Sequence, residues 1–458
     1  MLITIDTLRA DYLGCYGNDK IKTPNIDGLA KSGITCKLAF AHNVITLPSH
    51  VNILTGTYPI FHRVRENIGF RVQDDTITLA DILKKIGYKT GAFIGAFPLD
   101  SRFGLNKGFD VYDDNYGDSN ALNDLSFVER KAEDVIKPAI AWIDSLYQEG
   151  QAAQGNPAKE SSPQWFCWVH LFDPHAPYNP PREFKARHPE NLYAGEVEYT
   201  DYSTGLLFEY LKNSGHLHNT LIVVTSDHGE SLEEHGERTH GIFAYNSTLH
   251  VPLVFYNPSV FHEGKSISTL VRHIDILPTI LDIINAKIPG EIQGKSLVSQ
   301  IEAFPKSPRK PEHCYFEAMT ANLDRNWAPL RGIISNEFKY IDLPIKELYD
   351  IASDYEEEIN VAGKELLLMN ELGNKLNKSI RKYSAQKNEK IERMTEDRET
   401  LEKLKSLGYL GPIESGSFKK IYTAQDDPKN LIHLDTMLHD AMRSFLDKDH
   451  EKAIELSL

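Results

Sequence analysis

The stretch "TITLADILKKIGYKTGAFIG", residues 76–95, shows how the chain is built. Its first half has apolar residues at helical spacing and ends at Gly87, and its second half is a short apolar run typical of a strand. Two further apolar runs, "WFCWVHLF" (165–172) and "TLIVVT" (220–225), are typical of buried parallel strands. This alternation predicts an α/β fold in which helices sandwich a large, mostly parallel sheet.

The sequence changes in character after this α/β region. Residues 312–349 contain short runs such as "CYFEA", "LRGIIS" and "FKYIDL" without long helices between them, which predicts a small antiparallel subdomain. Charged helical sequence follows, and residues 428–458 are typical of a helical hairpin, either a simple terminal helix pair or the start of a truncated TPR-like repeat. We therefore divide the chain into a main α/β domain (1–310), the subdomain (311–355) of the same unit and a helical tail (356–458).

The composition limits the classes of function. The 458 residues are 41% apolar and 25% charged, which indicates a globular protein with a large core. The net charge of −15 argues against a nucleic-acid partner, and four scattered cysteines give no zinc or disulfide framework. We find no apolar run of roughly 18 residues and therefore predict no membrane span. We find no signal peptide either, although the chain opens directly on a strand, so a truncated N-terminus and the compartment both stay open.

Acidic residues and histidines follow three of the predicted strands. Asp6 ends the strand that opens the chain. Asp173 and His175 follow the run 165–172, and Asp227 and His228 follow the run 220–225. Because the carboxyl ends of parallel strands meet at one edge of a sheet, these side chains are expected to lie together. A single acid after a strand is often only a helix cap, but three such ends together favour a metal site.

The ligand types indicate which cation would bind. Asp227 and His228 can both reach one ion if the chain turns there, and a carboxylate with an imidazole suits Zn²⁺ or Mn²⁺ better than Ca²⁺. The polar loop that follows carries His235 and His240, of which we favour His240 as functional.

The segment "TLPSHVNILTG", residues 46–56, is predicted to be a short helix with Thr46 at its N-terminus. Free backbone N–H groups at such a position favour an oxyanion, and a bound metal can activate the Thr46 hydroxyl as a nucleophile. His50 lies four residues on and shares a helical face with Thr46. The alternative is that Thr46 is only an N-cap.

At these motifs the chain resembles the sulfatases and phosphoesterases of the alkaline phosphatase superfamily. The resemblance covers roughly residues 1–360 and lies in the ordered segments "LITIDTLRADYLGCYG", "TLPSHVNILTGTYP", "LFDPHAPYNPP", "TSDHGESLEEHG" and "HIDILPTILDII". It implies an alkaline-phosphatase-like fold and a metal-dependent hydrolase that works through a covalent intermediate. The nucleophile position of the family matches Thr46, and the metal-ligand positions match Asp6, Asp227 and His228, with the Thr46 hydroxyl on the same ion.

The chain departs from the sulfatase pattern at several of these positions. Sulfatases carry Cys-x-Pro-x-Arg, whose Cys is oxidised to formylglycine, whereas this chain has Thr46, which cannot be converted, and His50 in place of the Arg. A second acidic ligand common in sulfatases is replaced by Thr7, and the sulfate-binding Lys and His of the family are absent from "GAFPLD" (95–100). His240 stands where sulfatases place a later lysine.

These departures favour the phosphoester branch of the superfamily. We interpret the chain as a hydrolase or transferase of phosphate monoesters and diesters that forms phospho-Thr46, with Zn or Mn favoured as the metal and Ca as an alternative. His175 and His240 would bind the ester oxygens or protonate the leaving group. His50, Arg65 and Asn67 would complete the oxyanion cradle, although Arg65 is as readily interpreted as a surface arginine.

Several alternatives stay open. Asp173 either forms a second metal site with His175 and His240 or orients His175. The protein is otherwise a sulfatase-like hydrolase of sulfuric esters, or a catalytically degenerate sulfatase-fold interaction protein. The expected partner is a small-molecule or an envelope- or glycan-linked ester, an extracytoplasmic location is plausible from the family, and the oligomeric state is open.

Overall fold

The computed structural model describes residues 1–116, 130–152, 163–261, 263–303, 313–384, 396–406, 418–446 and 448–457. One eight-stranded sheet is formed by β1 (Leu2–Ile5), β2 (Ile34–Phe40), β3 (Lys89–Ile94), β4 (Val111–Asp113), β5 (Trp165–Leu171), β6 (Ile222–Ser226), β7 (Leu253–Tyr256) and β8 (Lys265–Arg272). The strand order is β4-β3-β5-β1-β6-β7-β2-β8. Only β7 runs antiparallel to its neighbours β6 and β2, which confirms the predicted large, mostly parallel sheet.

The register of the central strands explains where the chemistry lies. β1 is flanked by β5 and β6, with Ile5 paired to Leu171 and to Ser226. Asp6 and Asp227 each follow one of these paired residues, so both leave the sheet at the same edge. This is the edge at which open α/β sheets bind their ligands.

Helices cover both faces of the sheet, as the alternation in the sequence predicts. Alternate residues of β1 enter different cores: Leu2 packs in one apolar cluster, and Ile3 and Ile5 pack in the other. The helices are α1 (Pro24–Ser32), α2 (Thr46–Thr55), α3 (Pro59–His62), α4 (Leu79–Lys85), α5 (Ala132–Ala152), α6 (Arg182–Arg187), α7 (Leu192–Asn213), α8 (Asn246–Leu249), α9 (Ile276–Ile283), α10 (Val298–Ala303), α11 (Thr320–Arg325), α12 (Leu366–Ser384), α13 (Arg398–Ser406), α14 (Pro428–Leu446) and α15 (His450–Ser457). Residues of α2, α4 and α9 line the first core, and residues of α1, α5 and α7 line the second.

A second sheet confirms the predicted antiparallel subdomain. Its strands are β9 (His313–Ala318), β10 (Leu330–Ser335), β11 (Phe338–Asp342) and β12 (Glu347–Asp350), in the order β12-β11-β10-β9, and all pairs are antiparallel. Leu372 and Leu376 of α12 pack on this sheet. The predicted boundary between residues 310 and 311 lies outside the described residues, and the boundary after residue 355 stays a prediction.

The helical tail is present and contacts both the main α/β region and the antiparallel subdomain. Helices α14 and α15 pack against one another as a hairpin. Asp435 of α14 forms an ion pair with Arg325, and Asp440 of the same helix forms one with Arg238. None of the described helices is both long enough and apolar enough to cross a membrane.

Candidate active site

The carboxyl ends of β1 and β6 bring three predicted ligands together. Asp6, Asp227 and His228 each present one ligand atom, and these atoms all lie within 4.8 Å of one another. We call these three residues the Asp6 cluster. His228 Nε2 lies 3.7 Å from Asp6 Oδ1 and 3.5 Å from Asp227 Oδ2. All three side chains are fully buried.

Backbone groups orient Asp227. The amide of His228 donates to Asp227 Oδ1 at 2.8 Å, and the amide of Thr7 approaches the same oxygen at 3.3 Å. These bonds occupy one carboxylate oxygen and leave Oδ2 without a hydrogen-bond partner on the side of His228. The turn after β6 therefore lets two adjacent residues face one point, as the sequence predicts.

The electrostatics of the Asp6 cluster favour a cation. Burial raises the pKa of Asp6 to about 6, against the opposing effect of nearby imidazoles. Burial and the neighbouring charge of Asp6 raise the pKa of Asp227 well above its ordinary value. Two buried carboxylates side by side are costly unless a positive charge lies between them. Among the described residues, every ion pair that these two carboxylates make is with a histidine.

The unpartnered atoms of the site show that its residues fit a divalent metal. His228 Nδ1 lies 2.9 Å from the Gly229 carbonyl, which only accepts, so this nitrogen carries the proton and Nε2 presents a lone pair. Burial lowers the pKa of His228 well below its ordinary value, so the ring is neutral. The buried atoms without hydrogen-bond partners include Asp6 Oδ1 and Oδ2, Asp227 Oδ2, His228 Nε2 and Thr46 Oγ. One divalent cation would satisfy this set of oxygen and nitrogen donors.

Thr46 is the first residue of α2 and is not an N-cap. The cap position is Ile45, and the Thr46 hydroxyl makes no hydrogen bond. It is close enough to Asp6 to lower the pKa of that carboxyl. The fully buried hydroxyl thus stands at a helix N-terminus beside the Asp6 cluster, the position that a nucleophile needs.

Asn67 bonds to the first turn of α2, and His50 lies within the same helix. Asn67 Oδ1 accepts from the Leu47 amide at 2.8 Å, and its buried Nδ2 has no partner. His50 Nδ1 lies 2.8 Å from the Thr46 carbonyl, and its Nε2 lies 3.0 Å from Thr4 Oγ inside the core. Asn67 therefore keeps a free donor near Thr46, whereas both nitrogens of His50 are engaged.

His175 and His240 lie together beside the Asp6 cluster. Their ring centroids are 5.1 Å apart, and the His240 ring lies 4.5 Å from that of His228. His175 Nδ1 is 2.6 Å from the Ala176 carbonyl, so its Nε2 presents an unpartnered lone pair. His240 Nδ1 lies 3.0 Å from Glu230 Oε1. Burial lowers the pKa of His240, but the charge and hydrogen bond of Glu230, together with the charges of Asp6 and Glu237, outweigh burial, and the net effect raises the pKa.

Comparison with known proteins identifies the family of this chain. A family model described as "Sulfatase" matches residues 1–286, which is more than half of the chain. The chain belongs to the sulfatase family. A second model, "N-sulphoglucosamine sulphohydrolase, C-terminal", matches residues 234–386. The family is generally metal-dependent, and the Asp6 cluster is a group that can hold a metal.

Individual relatives cover most of this sulfatase-family chain. An ulvan-active sulfatase of Formosa agariphila is 26% identical over 418 residues, which is 82% of this chain and 80% of the relative. An N-acetylglucosamine-6-O-sulfatase of Bacteroides thetaiotaomicron is 24% identical and covers 77% of this chain and 80% of its own. The crystal structure of the phosphonate monoester hydrolase of Agrobacterium radiobacter has a TM-score of 0.68 at 20% identity, covering 84% of this chain and 95% of that one. The structural likeness supports the alkaline-phosphatase-like fold.

Two predicted site residues of this sulfatase-family protein, Arg65 and Asp173, bind partners away from the Asp6 cluster. Arg65 forms a two-pronged ion pair with Glu317, with Nε 2.6 Å from Oε1 and the second nitrogen on Oε2. Asp173 accepts from Lys131 Nζ at 3.0 Å and from the Ala132 amide at 2.9 Å. These contacts occupy Asp173 and Arg65 with partners outside the Asp6 cluster, so neither is brought together with it.

Two buried residues beside the site were not among the predicted functional residues. Glu230 stands two residues after His228 in the segment "DHGE", and its contact with His240 joins the loop to the site. His170 lies in the apolar run of β5, and its Nε2 is 3.5 Å from Asp6 Oδ2. The signal for His170 was a single imidazole in an otherwise apolar strand.

Replacing Arg65 by Met is expected to destabilise the fold of this sulfatase-family protein by about 3 kcal/mol or more. The change removes the guanidinium that pairs with the Glu317 carboxylate, which is fully buried. Urea unfolding of the metal-free protein measures this effect. The oxyanion-cradle interpretation instead predicts unchanged stability and a raised KM, and that pair of results would contradict the structural role.

Proposed function

We propose that this protein is a divalent-metal-dependent hydrolase of singly charged esters, with Thr46 as its nucleophile. Sulfate esters of carbohydrates are the first substrate class. The observation that carries the proposal is the buried, unpartnered Thr46 hydroxyl beside the Asp6 cluster. The Asp6 cluster and the Thr46 hydroxyl would hold the cation. Such an ion lowers the pKa of a bound hydroxyl and polarises an ester oxygen when it is bound.

The charge of the site supports a singly charged substrate. Arg65 is paired with Glu317 and Lys131 with Asp173, so these cations are already neutralised. The ion pairs of the cluster carboxylates among the described residues involve only imidazoles. A phosphate monoester carries close to two negative charges at neutral pH and needs more cationic contacts than a sulfate ester, which carries one.

The sulfate interpretation has more support than the phosphoester interpretation of the sequence. Curated relatives of this chain are mostly named sulfatases, among them the ulvan-active sulfatase, the N-acetylglucosamine-6-O-sulfatase and an arylsulfatase of Clostridium perfringens. We extend the class of sulfated carbohydrate from the first two names to this chain. A sulfated glycan outside the cytoplasm is accordingly the proposed partner.

The residues of the chain supply both proton transfers of a double displacement. Thr46 Oγ attacks the central atom of the ester and forms a covalent bond while the bond to the leaving oxygen breaks. The unpartnered Nε2 of His175 takes the proton of Thr46, and His240, held by Glu230, gives a proton to the leaving oxygen. Water then attacks the covalent intermediate and gives its proton to His240, and Thr46 recovers its own from His175.

The N-terminus of α2 and Asn67 stabilise the charge that develops during attack. Asn67 binds the Leu47 amide through Oδ1, which orients its unpartnered Nδ2 beside the first turn of the helix. A preorganised donor of this kind acts on the ester oxygens without reorganisation. The helix terminus adds its partial positive charge to the same region.

A second candidate is the hydrolysis of phosphodiesters or phosphonate monoesters. The observation that favours it is Thr46 itself, because formylglycine sulfatases require an oxidisable Cys at this position and Thr cannot supply the aldehyde. These phosphorus esters also carry a single negative charge, so they satisfy the same charge argument.

The interaction-protein alternative has less support, because a scaffold does not need buried, unpartnered carboxylates at its strand ends.

A substrate panel tests the proposal. We expect kcat/KM for p-nitrophenyl sulfate or bis-p-nitrophenyl phosphate to exceed that for p-nitrophenyl phosphate by at least about 10-fold, a difference of about 1.4 kcal/mol. Zn²⁺ and Mn²⁺ are each added to metal-free protein, with Ca²⁺ as the comparison. Preferential cleavage of the doubly charged monoester would overturn the charge argument, and turnover in the presence of a chelator would overturn the metal.

A further inference from the structure

Thr7, the residue that follows Asp6, has an unusual backbone conformation. Its φ is 52°, in the left-handed region, and its side chain is fully buried. A β-branched residue rarely adopts this conformation, because it brings Cβ too close to the following carbonyl oxygen. Such a residue keeps its conformation only where the surrounding contacts hold it, and residues strained in this way cluster at functional sites.

Three different segments hold the three polar groups of Thr7. Its amide approaches Asp227 Oδ1 at 3.3 Å, in the turn after β6. Its hydroxyl donates to the Pro174 carbonyl at 2.6 Å, in the segment after β5. Its carbonyl accepts from the Tyr193 hydroxyl of α7 at 2.7 Å. The turn after β1 is therefore tied to the segments after both neighbouring strands and to one helix.

The Tyr193 side chain separates its packing from its hydrogen bonding. The ring is buried and packs edge-on against Tyr12 and Tyr178, with centroid distances of 4.7 Å and 5.4 Å. The hydroxyl donates to the Thr7 carbonyl and accepts from the Arg9 amide at 2.9 Å, so one oxygen links the backbone of residues 7 and 9. Replacement by Phe would keep the ring contacts and remove only this link.

The conformation of Thr7 determines how the two carboxylates of the Asp6 cluster face one another. If Thr7 relaxed to a negative φ, its amide would change direction and lose Asp227 Oδ1. That amide and the amide of His228 occupy Oδ1, which leaves Oδ2 facing His228 Nε2 at 3.5 Å. Asp6 immediately precedes the same turn, so the direction of its side chain depends on it too.

We propose that Tyr193 and Thr7 are positioning residues of the metal site, which hold the turn after Asp6 through the Tyr193 and Thr7 hydroxyls. The inference rests on the metal of the proposed function. Both residues act through Asp6 and Asp227, whose carboxylates they hold in place before the cation binds. Hydrogen bonds that orient ligands in this way strengthen metal binding. Their loss should weaken the binding of the metal and leave the reacting groups unchanged.

Calorimetric titration of metal-free protein with Zn²⁺ tests the role of Tyr193. We expect Tyr193→Phe to weaken Zn²⁺ binding by about 10-fold. At saturating Zn²⁺ its kcat should stay within about 3-fold of the wild-type value, because the nucleophile and the histidines are intact. The matched control is Tyr199→Phe: Tyr199 lies on the same helix and is also buried, but its hydroxyl accepts from the Glu133 amide at 3.4 Å. The control should bind Zn²⁺ with wild-type affinity.

Thr7→Val is a second variant that tests the same turn from its other side. It keeps the shape of the side chain and removes the hydroxyl that bonds to the Pro174 carbonyl. We expect the same loss of Zn²⁺ affinity, about 10-fold. Unchanged affinity in either variant once it is shown to be folded, or an equal loss in Tyr199→Phe, overturns the positioning role and leaves the proposed function intact.

Hydrogen exchange of the wild type supplies a measurement that needs no variant. If the turn is held before the cation binds, amides of the segment 5–10 should exchange in the metal-free protein within about 3-fold of their rates in the Zn²⁺-loaded protein. Rapid exchange that becomes slow only with Zn²⁺ overturns the positioning role. Failure of the wild type to bind Zn²⁺ or Mn²⁺ overturns the proposed function and this inference together.

Discussion

Replacement of Thr46 by Val lowers kcat/KM by at least about 10³-fold and leaves the fold unchanged, because it removes the attacking atom and keeps the shape of the side chain. Thr46 is buried at the start of α2, and its hydroxyl makes no hydrogen bond that the change would break. Stability should therefore change little while turnover is lost. Assays at saturating metal, combined with thermal unfolding, separate the two effects.

The same helix offers a matched control for this variant. Thr55 ends α2, is also buried, and donates its hydroxyl to the Val51 carbonyl at 2.6 Å. Thr55→Val removes an equivalent hydroxyl from the same helix and should keep wild-type kcat within about 2-fold. Thr46→Ser restores a hydroxyl and should recover part of the activity. Full turnover by Thr46→Val would show that another group is the nucleophile.

Replacement of Asp227 by Asn is expected to have opposite effects on function and on stability. It removes one carboxylate of the Asp6 cluster, so metal affinity should fall by at least about 100-fold and activity should fall with it. In the metal-free protein it removes a buried charge that repels Asp6. The metal-free variant should therefore unfold at a higher temperature than the metal-free wild type at pH 7.

The stability that metal-free Asp227→Asn gains over wild type should decrease as the pH falls. Burial and Asp6 raise the pKa of Asp227 in the folded state above that in the unfolded chain. Above the folded-state pKa, the ionised Asp227 destabilises the metal-free wild type. Below the unfolded-state pKa the carboxyl is neutral in both states, and the difference between wild type and variant should vanish. Thermal unfolding of both proteins from pH 7 down to about pH 3, below the ordinary Asp pKa, follows this convergence.

Asp173→Asn serves as the control for Asp227. Asp173 is a buried acid near the same sheet edge, but Lys131 and the Ala132 amide already satisfy its oxygens. Its replacement should leave metal affinity unchanged. Loss of metal binding would instead support the second metal site that the sequence allows. A metal-free Asp227→Asn that is less stable than wild type would contradict the electrostatic description of the cluster.

The elements that the sequence predicts well are those set by local periodicity. The strands before Asp6 and Asp227 are continuous apolar runs, and parallel strands necessarily end at one edge, so their meeting follows from the pattern. The helix that begins at Thr46 is likewise marked by its Pro and its terminal Gly56, which adopts a left-handed conformation with φ of 65°. Local pattern and fold agree at these positions.

Long-range pairing decides the positions that the sequence could not predict. Arg65 lies near the site in sequence, but its partner Glu317 is 252 residues away in the second sheet. His50 shares a helical turn with Thr46, yet it reaches Thr4 of β1, which depends on how α2 packs on the sheet. The position of His170 beside Asp6 could not be predicted, because the strand pattern does not distinguish a buried imidazole from a buried apolar side chain.

The central claim is that one divalent cation is shared by Asp6, Asp227, His228 and the Thr46 hydroxyl. Anomalous diffraction from crystals soaked in Zn²⁺, recorded on both sides of the zinc absorption edge, tests it most directly. We predict one strong anomalous peak at about 2.0–2.3 Å from a carboxylate oxygen of each aspartate, from His228 Nε2 and from Thr46 Oγ. An absence of any peak among these side chains, or a peak from which Thr46 points away, would contradict it.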